Sequence, residues 1–96
     1  MLTVVFLGKV KNGKEKEFET RFSLLVESIA SEPGCVGATW GLTETPGIYA
    51  IVERYRDWEA LKAHRASAHM AEHGPHIGEM FESPPQIFRF IEQRSL

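Results

Sequence analysis

The strand-like segments of this sequence are apolar on both faces, and this property constrains the fold more than any other. A strand with one face in water alternates apolar and polar residues. In the first such segment, Val4 and Phe6 fall on one face, while Val5 and Leu7 fall on the other. The third and last segments are apolar on both faces in the same way. Both faces of the resulting sheet therefore need cover.

Hydrophobic periodicity and turn residues predict seven elements within one domain that spans residues 1–96. The predicted strands span Leu2–Val10, Cys35–Thr43, Ile48–Arg56 and Gln86–Glu92. A helix is predicted at Lys14–Ser31, where apolar residues recur at i, i+4, i+7 and i+11. Two shorter helices follow the third strand, capped by Asp57 and Ser67. The order β-α-β-β-α-α-β is typical of an α+β, ferredoxin-like domain with a four-stranded antiparallel sheet.

Three local features accompany this order. Asn12, within an Asn-Gly turn, is a candidate cap for the first helix. Gly8 indicates a bulge or a close approach in the first strand. Gly74 and Pro75 are expected to weaken or kink the third helix in its middle.

The topology predicts a homodimer. Right-handed crossovers send all the helices to one face of the sheet. The other face would then expose an apolar patch too large for a monomer. A second copy, packed sheet to sheet about a two-fold axis, would cover it. The alternative is that residues of the edge strands are simply partly exposed.

Composition excludes several classes of partner. The formal net charge is −2 and the basic residues are dispersed, so no nucleic-acid partner is expected. The apolar runs, such as Val4–Leu7, are too short to cross a bilayer, so no membrane partner is expected. Cys35 is the single cysteine, which precludes a disulfide within the chain. With no leader pattern at the start of the sequence, a cytoplasmic location is expected.

The spacing of the histidines invites a metal-site interpretation. His69, His73, His76 and Glu79 follow one another at steps of three or four residues, which places them on one helix face. Their order is not that of the His-Glu-x-x-His zinc motif, and Pro75 interrupts the helix between them. A polar helix face in contact with water is the favoured interpretation, so we expect no metal site.

Proton transfer is the second interpretation of the histidines. His64 lies on the apolar side of its helix, three residues after Leu61, and His69 follows across a short bend. If the two rings converge on one cavity, either is a candidate catalytic base. Glu53 shares a strand face with Tyr49 and Tyr55, and is expected either to form a cross-strand or helix-side ion pair, for example with Arg65, or to orient a histidine. A buried neutral histidine bonded to a carbonyl is the ordinary alternative for either ring alone.

The candidate substrate-binding residues are aromatic or lie near the histidines. They are Phe22, Trp40, Tyr49, Tyr55, Met70, His73 and Phe81. Aromatic residues such as these belong more often to a core than to a substrate platform. Cys35 has no evident base beside it and is expected only to pack at the start of a strand.

Three stretches resemble the antibiotic-biosynthesis-monooxygenase family. They are Glu32-Pro33-Gly34-Cys35, Val52-Glu53-Arg54-Tyr55-Arg56-Asp57, and Glu59-Ala60-Leu61-Lys62-Ala63-His64 followed by Ser67-Ala68-His69-Met70. The resemblance implies a dimeric α/β barrel, with His64 and His69 at the mouth of a cavity and Glu53 in its wall. Ala68 departs from the proline that many members carry before the second histidine.

The resemblance implies a monooxygenase that acts without a cofactor on a small electron-rich aromatic substrate, of the quinol or polyphenol type, and dioxygen. The same family includes an isomerase, so a proton-shuttling isomerase of a small keto compound stays open. A non-catalytic dimeric small-molecule-binding protein stays open as well. The haem-degrading branch is disfavoured, because its asparagine and tryptophan correspond here to the Leu7-Gly8 region and to His64.

Overall fold

A computed structural model describes all 96 residues and confirms the predicted order of elements. The strands are β1 (Leu2–Lys9), β2 (Cys35–Leu42), β3 (Ile48–Tyr55) and β4 (Gln86–Ile91). The helices are α1 (Glu15–Ala30), α2 (Trp58–Arg65) and α3 (Ala68–Glu79). The strands form one antiparallel sheet in the order β2-β3-β1-β4, which confirms the α+β, ferredoxin-like fold. None of the three helices combines the length and apolar character that a membrane crossing requires.

The core lies between the helices and one face of the sheet. The four periodic residues of α1 are all buried; they are Phe18, Phe22, Leu25 and Ile29. From β3, Tyr49, Ile51 and Tyr55 are buried on the same side. Each large apolar side chain buried in this way contributes about 1.5–3 kcal/mol relative to an exposed one. The core thus fixes the helices over the sheet.

The caps of the two shorter helices are as predicted, while that of α1 is not. The Asp57 carboxylate accepts a hydrogen bond from the Ala60 N–H at 2.9 Å, and Ser67 caps α3 in the same manner. The prediction that Asn12 caps α1 is wrong. The helix begins at Glu15 and its N-cap position is Lys14, which makes no side-chain cap bond. Asn12 lies two residues before the N-cap position.

The predicted close approach at Gly8 is confirmed. A Cβ at this position would lie 2.6 Å from the Phe81 ring, while β1 keeps a continuous register with both neighbouring strands. The absence of a side chain at Gly8 therefore makes room for the Phe81 ring and does not mark a bulge. The sheet's irregularity lies in β2 instead, between Cys35 and Gly37. Helix α3 continues through Pro75 as one helix.

The face of the sheet opposite the helices is uncovered in the single chain. Phe88 and Phe90 of β4 are 60% and 50% exposed on that face, and Val52 of β3 is 38% exposed. Every residue of β4 is exposed to solvent, including Ile87 on the helix side. The uncovered face is therefore apolar at Phe88 and Phe90 of β4 and at Val52 of β3.

Candidate active site

An apolar cavity of about 300 Å³ lies between the sheet and the helices. Three phenylalanines line it, Phe6 from β1, Phe22 from α1 and Phe81 after α3. Its few polar wall groups are Glu53, His64, Arg65 and Arg89. A cavity of this size and lining suits a small ligand that is mostly apolar with a few polar atoms.

His64 is the one histidine in the wall of this cavity. It lies on the inner face of α2 next to Leu61 and is only 6% exposed. Its Nδ1 lies 2.9 Å from Oε2 of Glu32, within hydrogen-bond distance. Its Nε2 lies 3.8 Å from Oε1 of Glu53, which is too long for a hydrogen bond. The ring is thus oriented through Nδ1, and Nε2 has no close partner.

Glu32 is the site residue that our sequence analysis did not identify. Its Oε2 contacts both His64 Nδ1 and His69 Nε2, whereas its Oε1 is buried and has no hydrogen-bond partner. The contacts span 32 and 37 residues of sequence, so neither helical nor strand periodicity reveals them. The available signal was the Glu32-Pro33-Gly34-Cys35 stretch that carries part of the family resemblance.

Gly34 explains how Glu32 reaches the histidines. A Cβ on Gly34 would lie 2.3 Å from the Ala60 Cβ, so the loop after α1 touches α2 one turn before His64. Two backbone hydrogen bonds fix the loop, from Cys35 N to Glu32 O and from Arg56 N to Gly34 O, both at 3.0 Å. The absent side chain of Gly34 therefore determines the separation between the Glu32 carboxylate and α2.

Glu53 and Tyr55 form a buried pair on the cavity side of β3. The Tyr55 hydroxyl donates a hydrogen bond of 2.6 Å to Oε1 of Glu53. Burial, followed by the charge of Glu53, raises the pKa of Tyr55 well above the ordinary value. The phenol therefore keeps its proton and remains a donor to Glu53. The prediction that Glu53 pairs with Arg65 is not met, since the carboxylate contacts Tyr55 and faces His64 instead.

The structure divides the sequence-predicted residues into two sets. Those that line the cavity are Glu53, Phe22, His64, Met70 and Phe81. Those that lie outside its lining are Trp40, Tyr49, Tyr55, His69 and His73. The two rings that were expected to converge on one cavity, His64 and His69, converge on Glu32 instead, with centroids 6.2 Å apart.

The outlying members of the second set have other partners. The Tyr49 hydroxyl donates to Glu19 at 2.6 Å, and His73 Nδ1 lies 3.3 Å from the Arg21 guanidinium. Trp40 packs edge-on against Phe22 with ring centroids 5.6 Å apart. The histidines on one face of α3 do not come together at one site either. His76 lies on the exposed surface, and only His69 joins a group of three potential ligands.

Comparison with known proteins agrees with the resemblance in the sequence. A profile of the family "Antibiotic biosynthesis monooxygenase" matches residues 1–74. No curated protein matches significantly. Among solved structures, a Caulobacter crescentus protein provisionally described as an antibiotic biosynthesis monooxygenase has 31% identity and a TM-score of 0.87, covering 93% of this chain and 86% of its own.

Two further structures extend the fold match. A conserved Methanosarcina mazei protein has 27% identity and a TM-score of 0.91, covering 96% of this chain and 92% of its own. A mutant of SnoaB from Streptomyces nogalater, described as a cofactor-independent oxygenase, has 20% identity and a TM-score of 0.85, covering 99% of this chain and 95% of its own. Because the family profile covers most of the sequence, this chain belongs to the antibiotic biosynthesis monooxygenase family.

Proposed function

We propose that this protein is a cofactor-independent monooxygenase that oxidises a small electron-rich aromatic substrate, of the quinol or polyphenol type, with dioxygen. The observation that carries the proposal is the buried His64 ring, which lines an apolar cavity, has Nδ1 2.9 Å from Glu32 and has no hydrogen-bond partner at Nε2. Family membership supports the monooxygenase class. The description of SnoaB as a cofactor-independent oxygenase supports the absence of a cofactor by analogy of fold.

The cavity provides the environment that such a substrate needs. Phe6, Phe22 and Phe81 offer aromatic contacts, and the volume of about 300 Å³ admits a small aromatic molecule. Binding there would displace water and place a phenolic hydroxyl near the imidazole. Orientation of this kind supplies much of the rate enhancement in many enzymes, and exclusion of water limits the loss of reactive intermediates.

His64 acts as the general base in this mechanism. Its Nε2 accepts the phenolic proton, and the Glu32 carboxylate stabilises the imidazolium that forms. The substrate anion passes one electron to dioxygen, and the radical pair recombines into a peroxide anion at a ring carbon. This anion takes the proton back from the His64 imidazolium and becomes a hydroperoxide. Loss of water then leaves a new carbonyl. One oxygen atom enters the product, the other leaves as water, and the substrate supplies the two electrons that this requires.

The His64→Ala variant tests the proposal through oxygen uptake with a panel of hydroquinones. General-base help is typically worth about 10²–10⁴-fold, or roughly 3–5 kcal/mol of barrier. We expect turnover to fall by about that factor, with the fold retained by circular dichroism. His76→Ala, at an exposed histidine outside the cavity, is the matched control. Equal turnover in His64→Ala and wild type would remove His64 from the role of base.

One observation favours a second candidate, the proton-shuttling isomerase of a small keto compound. Arg65 and Arg89 line the cavity and neither makes an ion pair with a carboxylate. Two free guanidiniums suit an anionic group on the substrate. Proton exchange from solvent deuterium oxide into a phosphorylated keto sugar, without oxygen, would support this function. Inactivity in both assays, with a ligand bound in the cavity, would support the non-catalytic binding protein.

We further propose that the protein functions as a homodimer, packed sheet to sheet. Phe88 and Phe90 form the exposed apolar patch that a second copy would cover. A dimer would also affect the cavity. Ile87 and Arg89 line the cavity from β4, and β4 has no buried residue in the single chain. Because β4 is an edge strand, a partner that covers the open face and also extends past this edge would enclose the cavity more fully. Sedimentation of a folded monomer at micromolar concentration would refute this proposal.

A further inference from the structure

Three potential metal ligands converge beside the cavity. Glu32, His64 and His69 each offer one ligand atom, and these atoms all lie within 4.8 Å of one another. Three different elements supply them, the loop after α1, helix α2 and helix α3. His64 is 6% exposed, and the side chains of Glu32 and His69 are 13% and 22% exposed. The group is therefore a mostly buried one, not a chance gathering of surface side chains.

The hydrogen bonds of this group leave one atom unsatisfied. Oε2 of Glu32 is within hydrogen-bond distance of one ring nitrogen of each histidine, whereas Oε1 is buried and has no hydrogen-bond partner. Buried polar atoms are nearly always partnered, and an exception in a native structure asks for an explanation such as a missing ion. A cation held between the carboxylate and the two rings would give Oε1 the partner that it lacks.

We propose that Glu32, His64 and His69 form a binding site for a divalent transition-metal ion, for which Zn²⁺ is the appropriate probe. Two imidazole nitrogens and one carboxylate are a donor set that such ions favour, with a position left open for water. Tetrahedral ligation with bonds of about 2.0–2.2 Å places ligand atoms about 3.4 Å apart. Glu32 Oε2 and His64 Nδ1 are 2.9 Å apart, so small side-chain movements suffice.

The surroundings of His64 suit the role of a ligand. A histidine that binds metal through one nitrogen usually donates its other N–H to a carboxylate or carbonyl. Oε1 of Glu53 lies 3.8 Å from His64 Nε2 and is itself held by the Tyr55 hydroxyl. A slight tilt of the ring towards Glu53 would complete such a carboxylate–histidine–metal arrangement.

Metal binding and base catalysis by His64 would exclude each other. The metal takes Nδ1, and the proton then resides on Nε2, the nitrogen that the proposed mechanism needs unprotonated. The metal-loaded protein would thus lose the general base. Zn²⁺ is therefore expected to inhibit any activity that depends on His64, and a chelator is expected to restore it.

Calorimetric titration with Zn²⁺ tests the site without any assay of activity. The full chain, freed of metal with a chelator and dialysed, should bind one Zn²⁺ per chain with saturation. The variants Glu32→Gln and His69→Ala should each weaken binding by more than about 100-fold, since loss of a residue that merely orients a ligand costs about 10–100-fold. His76→Ala, on the same helix as His69 but exposed, should bind as wild type does.

Co²⁺ gives a second measurement that does not depend on the variants. Tetrahedral Co²⁺ bound to nitrogen and oxygen donors absorbs visible light strongly, whereas hydrated Co²⁺ absorbs weakly. Intense visible bands at one equivalent of Co²⁺, displaced by Zn²⁺, would support the site. Absence of saturable binding to the wild-type chain would overturn the proposal. Binding that persists in His69→Ala and is lost in His76→Ala would overturn it too, because the ion would then lie on the surface of α3.

Discussion

Adding one methyl group at Gly34 should separate Glu32 from α2 and destabilise the fold. In Gly34→Ala the new Cβ would lie 2.3 Å from the Ala60 Cβ and 3.2 Å from the Ala60 Cα, far inside normal contact. The backbone at Gly34 is outside the left-handed region, so the effect is steric and not conformational. Overpacking of this kind costs about 1–3 kcal/mol in free energy of unfolding.

A double-mutant cycle separates this clash from general damage to the loop. Ala60→Gly alone should cost about 1 kcal/mol, the difference in helix propensity. In the double variant the closer contact is gone, so the combined loss should be smaller than the sum by about 1 kcal/mol or more. Gly78→Ala, within helix α3, where a Cβ meets no atom of another part of the chain within 4 Å, is the control and should be neutral or stabilising.

Urea denaturation at one protein concentration provides the measurement for all four variants. Shifts of the midpoint at constant slope report changes in the free energy of unfolding. Additivity within about 0.5 kcal/mol would show that Gly34 and Ala60 are not in conflict, and would refute the packing argument. Because the clash displaces Glu32, Gly34→Ala should also lower activity and weaken Zn²⁺ binding, with partial recovery of both in the double variant.

Four further measurements test other parts of the structure. Burial raises the pKa of the Cys35 thiol, so its reaction with a disulfide reagent at pH 8 should be slower than that of a free cysteine, and an equal rate would contradict this. The Arg54 guanidinium lowers the pKa of Glu92 from its usual 4.5. The contribution of the ionised Glu92 carboxylate to stability is therefore present above pH 4.5 and is lost as the pH falls through the lowered pKa. Glu92→Gln should therefore flatten the dependence of the unfolding free energy on pH in that acidic range, and an unchanged profile would contradict this. Asp57→Ala should lower the free energy of unfolding by about 1 kcal/mol through loss of the α2 cap, as measured in urea. Phe88→Glu should shift sedimentation towards a monomer if the sheets pack together, whereas an unchanged dimer would place the interface elsewhere.

The elements were predictable because their patterns are local. The periodic residues of α1 and the caps Asp57 and Ser67 fall within one or two helical turns, so sequence spacing determines them. Asn12 failed as a cap because its Asn-Gly pair makes the turn itself, with Gly13 at a φ of +87°, and the helix begins only at Glu15. Turn chemistry and cap chemistry favour the same residue types, and only the backbone path distinguishes them.

The site was only partly predictable, because its contacts connect distant parts of the chain. The prediction that His64 lies on the inner side of its helix required only the spacing from Leu61, and it is confirmed by the burial of the ring. The partner of His64 could not be found in this way. Glu32 reaches it through the close approach of Gly34 to Ala60, a contact that depends on how the loop after α1 packs against α2.

The two roles proposed for His64 require different tautomers. Glu32 lies where it would stabilise the tautomer of the base, and Glu53 lies where it would stabilise the tautomer of the metal ligand. With the proton on Nδ1, the ring donates to Glu32 at 2.9 Å and its Nε2 is free to act as a base. With a metal on Nδ1, the proton moves to Nε2, where Glu53 lies 3.8 Å away and would accept it. The present geometry, short to Glu32 and long to Glu53, favours the tautomer with the proton on Nδ1. Replacing Glu53 with Gln should therefore weaken Zn²⁺ binding by about 10–100-fold while leaving the Glu32–His64 hydrogen bond in place. Equal Zn²⁺ affinity in this variant would mean that Glu53 serves only the cavity wall.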